Sequence, residues 1–406
     1  MLSVNKQAFT ALLYLLFVAI LGLVLRFFPI SDFTVDYRFV VHTHSHIALL
    51  GWVYIALTTM LYKIGIPQEK KKTYKYIFWS TQLTIIGMFF TFPFVGYTLY
   101  SIIFSTLFIL CSYWFYSFFK KHNQLNKTTY SYKFINISLL FMIISSIGPW
   151  SLGMIMNTIG NTSHWYKNAI YFYLHFQYNG WFLFCLIGIF LFLIEKQQIN
   201  ISKSKLKKFY QLMVVSCILT LFLSFLWIKP ATIIYLLAGL GAIFQIIGIA
   251  FFYKNLKPFF SKLKQFFGNF SYKLLQFIFA LFLLKITLQL LNAVPFISEM
   301  ISKFIDFVIG YLHLIFLGII TLTIFVFLNY LKLIKVSKRW IYIYLIGFIC
   351  SEILIFYKGI FIWLQINYTE NYFLYLVIVS SFLPISILGI CFENIFKNSS
   401  TRLKSL

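Results

Sequence analysis

The sequence predicts an all-α, polytopic membrane protein of about twelve transmembrane helices in three pseudo-repeated four-helix units. Composition, apolar run length and the sorting of basic residues predict it. The 406 residues are 61% hydrophobic and 22% aromatic but only 11% charged, against roughly 25% charged in a soluble domain. That leaves too little polar surface to cover a water-soluble core. A helix that crosses the hydrocarbon needs about 20 mostly apolar residues. Twelve such runs occur, near 8–28, 41–62, 76–94, 97–118, 134–156, 168–194, 209–228, 231–253, 273–294, 307–331, 340–364 and 372–392. Together they make one membrane domain over 1–406, the stretches near 195–208 and 254–272 reading as basic loops.

The net charge of +25 would suggest a nucleic-acid partner in a soluble protein. Sorting the basic residues by loop removes that reading. With the N-terminus cytoplasmic, 27 of the 34 Lys and Arg fall on inner segments. Five fall outside (Arg26, Arg38, Lys167, Lys229 and Lys303), and Lys285 and Lys358 lie inside spans. Cytoplasmic loops of membrane proteins carry this excess. The expected location is a bacterial-type inner membrane, both termini cytoplasmic, with the lipid bilayer as partner and no nucleic acid. The first run ends at Arg26-Phe27-Phe28-Pro29 with no small-residue cleavage site after it, so it reads as a span, not a signal peptide. The segment 295–306 reads as a short surface helix, and Gly148-Pro149-Trp150-Ser151 as a kink in span 5. None of the five Cys sits in a C-x-x-C pair, which argues against a disulfide framework or zinc knuckle.

Ionisable residues inside a bilayer are costly and mark functional positions. Spans 2, 6 and 10 each carry an H-x4-G pattern: His46 with Gly51, His175 with Gly180, and His313 with Gly318. His46 and His175 lie eight residues beyond Arg38 and Lys167, and His313 lies seven beyond Asp306. At 1.5 Å per residue each lies ~10–12 Å below its charged marker. One depth and a separation of four helices predict a threefold repeat. Each Gly leaves room for a flat ligand or a close helix. His42 and His46 share a face at i,i+4, whereas His44 points elsewhere. Lys285 and Glu352 fall near mid-membrane as a prospective pair, and Arg38 and Lys358 near the outer side as partners for acidic groups or as snorkelling residues.

Twelve helices with histidines on helices 2, 6 and 10 resemble the haem–copper oxidase superfamily, which includes cytochrome c oxidase subunit I and the large subunit of nitric oxide reductase. His44-Ser45-His46-Ile47-Ala48-Leu49-Leu50-Gly51 is similar to the H-x-H-L-A-x-x-G run of the reductases, which there belongs to the tenth helix. His175-x3-Asn179-Gly180 is similar to their H-x3-E-G on helix 6, with Asn in place of Glu. The resemblance implies a b-type haem clamped by one of His42, His44 or His46 together with His313, lined by Gly51 and Gly318, its propionates near Arg38 or Lys358. It implies a second metal on His175, and quinol or another redox subunit as electron donor. Span 7 lacks the family's adjacent histidines, position 311 is Tyr, and position 179 is Asn where the oxidases carry Tyr. An oxidase-type copper site is therefore not expected. The implied activity is electron transfer or nitric oxide/oxygen chemistry. Two alternatives stand beside it: a small-molecule or metal transporter using the outer His cluster, and a catalytically inactive haem-holding assembly or sensor protein.

The predicted topology has a direct check. Single cysteines introduced at Lys121 and at Lys167 are expected to be labelled by an impermeant reagent from opposite faces of the membrane. Labelling of both from one face contradicts the assignment.

Overall fold

The structure, a computed structural model, describes residues 3–199 and 201–403. No strand occurs among them. Twelve helices are long and apolar enough to span a membrane: α1 Val4–Ile30, α2 Tyr37–Gly65, α3 Gln68–Val95, α4 Leu99–His122, α5 Tyr130–Thr158, α6 His164–Lys196, α7 Lys203–Ile228, α8 Thr232–Phe267, α9 Asn269–Asn292, α10 Ile305–Tyr330, α11 Lys338–Trp363 and α12 Tyr372–Ile395. The chain is thus a multi-pass, all-α membrane protein. In hydrocarbon every backbone N–H and C=O must be satisfied within the chain, and a helix does this inside one segment. Of the basic residues that set the predicted orientation, Lys404 lies outside the described residues, as do the side chains of Lys397 and Arg402.

The helix starts are written in the sequence. Asp36 caps α2, its carboxylate accepting from the Arg38 N–H at 2.7 Å. Ser163 caps α6 by accepting from the Tyr166 N–H, and Thr129 caps α5 by accepting from the Tyr132 N–H. Each cap satisfies a backbone donor that has no partner inside the helix.

The helices cluster into two compact units. The first, Met1–Leu125 with Ile324–Leu406, holds α1 to α4, the C-terminal end of α10, α11 and α12. In it α1 packs on α2 and α12, α3 on α4, and α11 on α12. The second, Asn126–Thr323, holds α5 to α9 and most of α10. In it α5 packs on α6, α7 on α8, and α9 on both α8 and α10. The sequence, read as one membrane domain, carries no signal of this division.

Two local features differ from the sequence reading. The expected basic loop at 254–272 is largely helical: α8 continues through a 3-10 turn, Lys257–Phe259, into a helix over Phe260–Phe267. Leu263 and Phe267 bury one face of that helix while Lys262 and Lys264 stay exposed on the other. Gly268, at φ 77°, ends it. The kink in α5 falls at Ser146, just before Gly148-Pro149. The Pro149 ring crowds the carbonyl four residues back, that of Ser145. The bend brings α5 so close to α6 that a Cβ on Gly148 would lie 2.5 Å from the Ala169 carbonyl oxygen.

The expected surface helix forms over Pro295–Lys303. Glu299 anchors it through salt bridges to Lys303 at 2.8 Å and to Lys229, in the α7–α8 turn, at 3.0 Å. The two ammonium groups pull the Glu299 carboxyl down from 4.5 to about 2. A carboxyl depressed on folding stabilises the fold above its unfolded pKa, and that contribution is lost as pH falls through the folded value. Thermal unfolding followed from pH 5 down to pH 2 is expected to show an acid-side loss that Glu299→Gln removes and that high salt weakens. An identical acid profile in Glu299→Gln would show that the triad contributes nothing.

Candidate functional site

The three H-x4-G spans are the three most buried helices. Within the most apolar window of α2, α6 and α10, 83, 78 and 72% of residues are buried, against 28 to 44% in the other nine. Each of the three also changes helix type at its histidine. The α-helix ends at His46 and a π-helix runs over Ile47–Tyr54. It ends at His175 and a π-helix runs over Phe176–Phe182. It ends at His313 and a π-helix runs over Leu314–Thr321. A π-helix bonds i to i+5, and such widened turns concentrate at functional sites. The H-x4-G spacing is itself i,i+5, which puts each Gly one π-turn beyond its His. This signal was present in the sequence but unread as helix type.

The helix before each π-segment packs against it: α1 on that of α2, α5 on that of α6, and α9 on that of α10. At Gly51 an added Cβ would lie 2.9 Å from the Tyr14 ring carbon Cγ of α1. At Gly180 it would lie 2.8 Å from Cβ of Phe141 of α5. The space immediately beside Gly51 and Gly180 is therefore occupied by side chains of the preceding helix. Tyr14 is locked there by a hydrogen bond from its hydroxyl to Gln82 Oε1 at 2.8 Å. Trp52 and Trp181, one residue beyond these glycines, are fully buried. Gly318 is buried inside the third π-segment.

The histidines of α2 divide as i,i+4 spacing requires. His44 turns toward α1, where its Nδ1–H donates to the Val18 carbonyl at 3.0 Å. His42 and His46 turn toward the α3–α4 side. His46 Nδ1–H donates to the His42 carbonyl at 2.8 Å. That bond fixes the tautomer and leaves the Nε2 lone pair as an acceptor. The Tyr97 hydroxyl donates to it at 3.2 Å. Phe92 lies with its ring 4.4 Å from the His46 ring, and the Tyr97 ring lies 4.7 Å from that of His42. Tyr97 follows Gly96, whose φ of 59° turns the chain between α3 and α4. Sequence reasoning missed Tyr97, because only the fold brings this turn over α2.

His175 is built differently. It is 2% exposed, and both ring nitrogens are engaged by protein. Nε2–H donates to the Cys217 carbonyl of α7 at 2.8 Å, and Nδ1 accepts from the Asn179 amide at 3.3 Å. In this arrangement His175 offers no free nitrogen to the second metal that the resemblance assigns it. No group of three or more His, Cys, Asp or Glu side chains among the described residues is arranged to hold a metal ion.

The remaining expected residues fall as follows. His313 is half-buried at the last α-helical position before the π-segment of α10. Lys285 is fully buried and donates to Gln245 Oε1 of α8 at 3.4 Å. Glu352 of α11 is 8% exposed and interacts electrostatically with Arg26 of α1. Arg38 is exposed in the first turn of α2, within electrostatic reach of His42. Lys358 lies over the Tyr372 and Phe373 rings of α12, at 5.8 and 5.5 Å. Among the glutamines, Gln82 ties α3 to α1, Gln177 donates to Ser145 Oγ of α5 at 2.9 Å, and Gln245 meets Lys285.

No protein-family model and no curated protein matches the chain.

The contrast between the two sites predicts a reactivity difference. Diethyl pyrocarbonate is expected to modify His46 faster than His175, as read by peptide mass spectrometry, and Tyr97→Phe to raise the His46 rate further. Modification of His175 as fast as His46 contradicts this geometry.

Proposed function

We propose that this chain is a haem-binding membrane protein of oxidase-like architecture, acting in electron transfer or nitric oxide/oxygen chemistry. The observation that carries the reading is the His46 imidazole: its Nδ1–H is anchored on the His42 carbonyl and its Nε2 lone pair is presented at the head of a π-turn. An axial histidine needs this arrangement, one nitrogen held by a hydrogen bond and the other left basic. His46 therefore fits the role. Phe92 supplies the apolar flank, and the partner of Nε2 among the described residues is the Tyr97 hydroxyl, on a turn residue that is 44% exposed. No C-x-x-C-H attachment motif occurs, so the haem would be a non-covalent b-type.

A bound haem supplies a one-electron couple and an iron that takes nitrogen or diatomic ligands. The protein's own residues set its limits. His42 holds the His46 ring in place through its backbone, Phe92 shields it from water, and His175 is committed to Cys217 and Asn179. This supports chemistry at haem alone in preference to a two-metal centre. Electrons would come from quinol or another redox subunit. The proposed setting is a bacterial-type inner membrane with both termini cytoplasmic.

The test is a reduced-minus-oxidised spectrum of purified protein with pyridine haemochrome analysis. A b-type signal is expected, abolished by His46→Ala and unaffected by His175→Ala. Protein purified from haem-replete cells without any chromophore overturns the reading.

A further inference from the structure

A second polar centre lies within the unit formed by α5 to α10 and is separate from His46. Its core is Lys285, with no exposed surface. Among the described residues its hydrogen bond runs to Gln245 Oε1 and is long, at 3.4 Å. The Phe282 ring lies 5.5 Å from Nζ. Cys217 and His175 are within its electrostatic reach, and neither supplies a negative partner. An ammonium removed from water and lacking a counter-charge is strongly unfavourable, so buried lysines are paired or neutralised.

Other polar atoms around Lys285 are also unsatisfied. Gln289, one turn further along α9 on the same face, is 4% exposed and its Oε1 has no partner among the described residues. Ser216 on α7 is fully buried, and its Oγ likewise has none among them. Helix register places Ser216 opposite Gln245. A Cβ on Gly241 of α8 would meet Thr220 and Leu219 of α7, and one on Gly248 would meet Leu212 and Met213, so residue 216 faces the middle of that interval. Helices α7, α8 and α9 thus bring a cation, a hydroxyl and two amides to one buried place. Buried groups of this kind are almost always hydrogen-bonded.

We propose that Lys285, Ser216, Gln245 and Gln289 form a binding site for a small monovalent anion within the membrane. Lys285 supplies the counter-charge, Ser216 a hydroxyl donor, and the glutamine amides further donors, with their carbonyls holding accompanying water. This site is independent of haem and needs no chromophore for its test.

The experiment is thermal unfolding of the detergent-purified full chain in potassium gluconate, titrated at constant ionic strength with chloride or nitrate. A saturable rise in the unfolding midpoint is expected. Lys285→Met should abolish it, since no cation then remains to hold the anion. Ser216→Ala should weaken the half-saturating concentration by about tenfold, the loss of one hydrogen bond to a charged group. Should Lys285→Met fail to fold, Ser216→Ala and Gln289→Leu decide the matter through the same titration. Equal midpoints in gluconate, chloride and nitrate overturn the proposal. So does a saturable rise that all these variants leave unchanged.

Discussion

Everything polar in this chain answers to one constraint: inside hydrocarbon, a hydrogen-bonding group finds its partner within the protein or goes without. The backbone meets it by being helical throughout the twelve spans. The side chains meet it by binding carbonyls and one another. His44 donates to α1, His46 to its own helix, His175 to α7, and Tyr14 to α3. These bonds position the histidines, and the exceptions are informative for the same reason. The His46 Nε2 has only a hydroxyl on a half-exposed turn, and Lys285 has only a distant amide.

The π-segments follow from where that constraint meets close packing. A wider turn begins at each of the three histidines and packs against the preceding helix, and at Gly51 and Gly180 the absence of a Cβ admits that helix. In two of the three elements the admitted group is an aromatic ring, Tyr14 or Phe141. The same change of helix type recurs at a spacing of four helices. It also explains why these three helices are the most buried. The side chains differ on this shared backbone: His46 Nε2 meets the hydroxyl of the half-exposed turn residue Tyr97, whereas both partners of His175, Cys217 and Asn179, are buried.

The twelve spans were legible because hydrocarbon thickness imposes a length and a composition that a single sequence displays. The split of His42 and His46 from His44 was legible because helical spacing alone decides it. The helix type at the histidines was not, although the i,i+5 spacing was in view, because an α-helix is the default for any apolar run. Tyr97 and the junction of Ser216, Gln245 and Lys285 were hidden for another reason. They depend on which helices become neighbours, and residues 29 or more positions apart come together there with no local pattern to announce them. The extension of α8 to Phe267 was obscured by its lysines, which suggested a loop while Leu263 and Phe267 were building a buried face.

The central claim is that Gly51 after His46 and Gly180 after His175 admit the neighbouring helix. Thermal unfolding of Gly51→Ala, Gly180→Ala and Gly153→Ala tests it most directly. A Cβ at Gly51 or Gly180 meets the root of an aromatic side chain at 2.9 or 2.8 Å, whereas at Gly153 it meets nothing within 4 Å. Overpacking should cost about 1–3 kcal/mol at each of the first two positions. At Gly153, within a helix, alanine should be neutral or stabilise by up to about 1 kcal/mol. Equal midpoints for all three variants, or stabilisation at Gly51 and Gly180, would contradict the account.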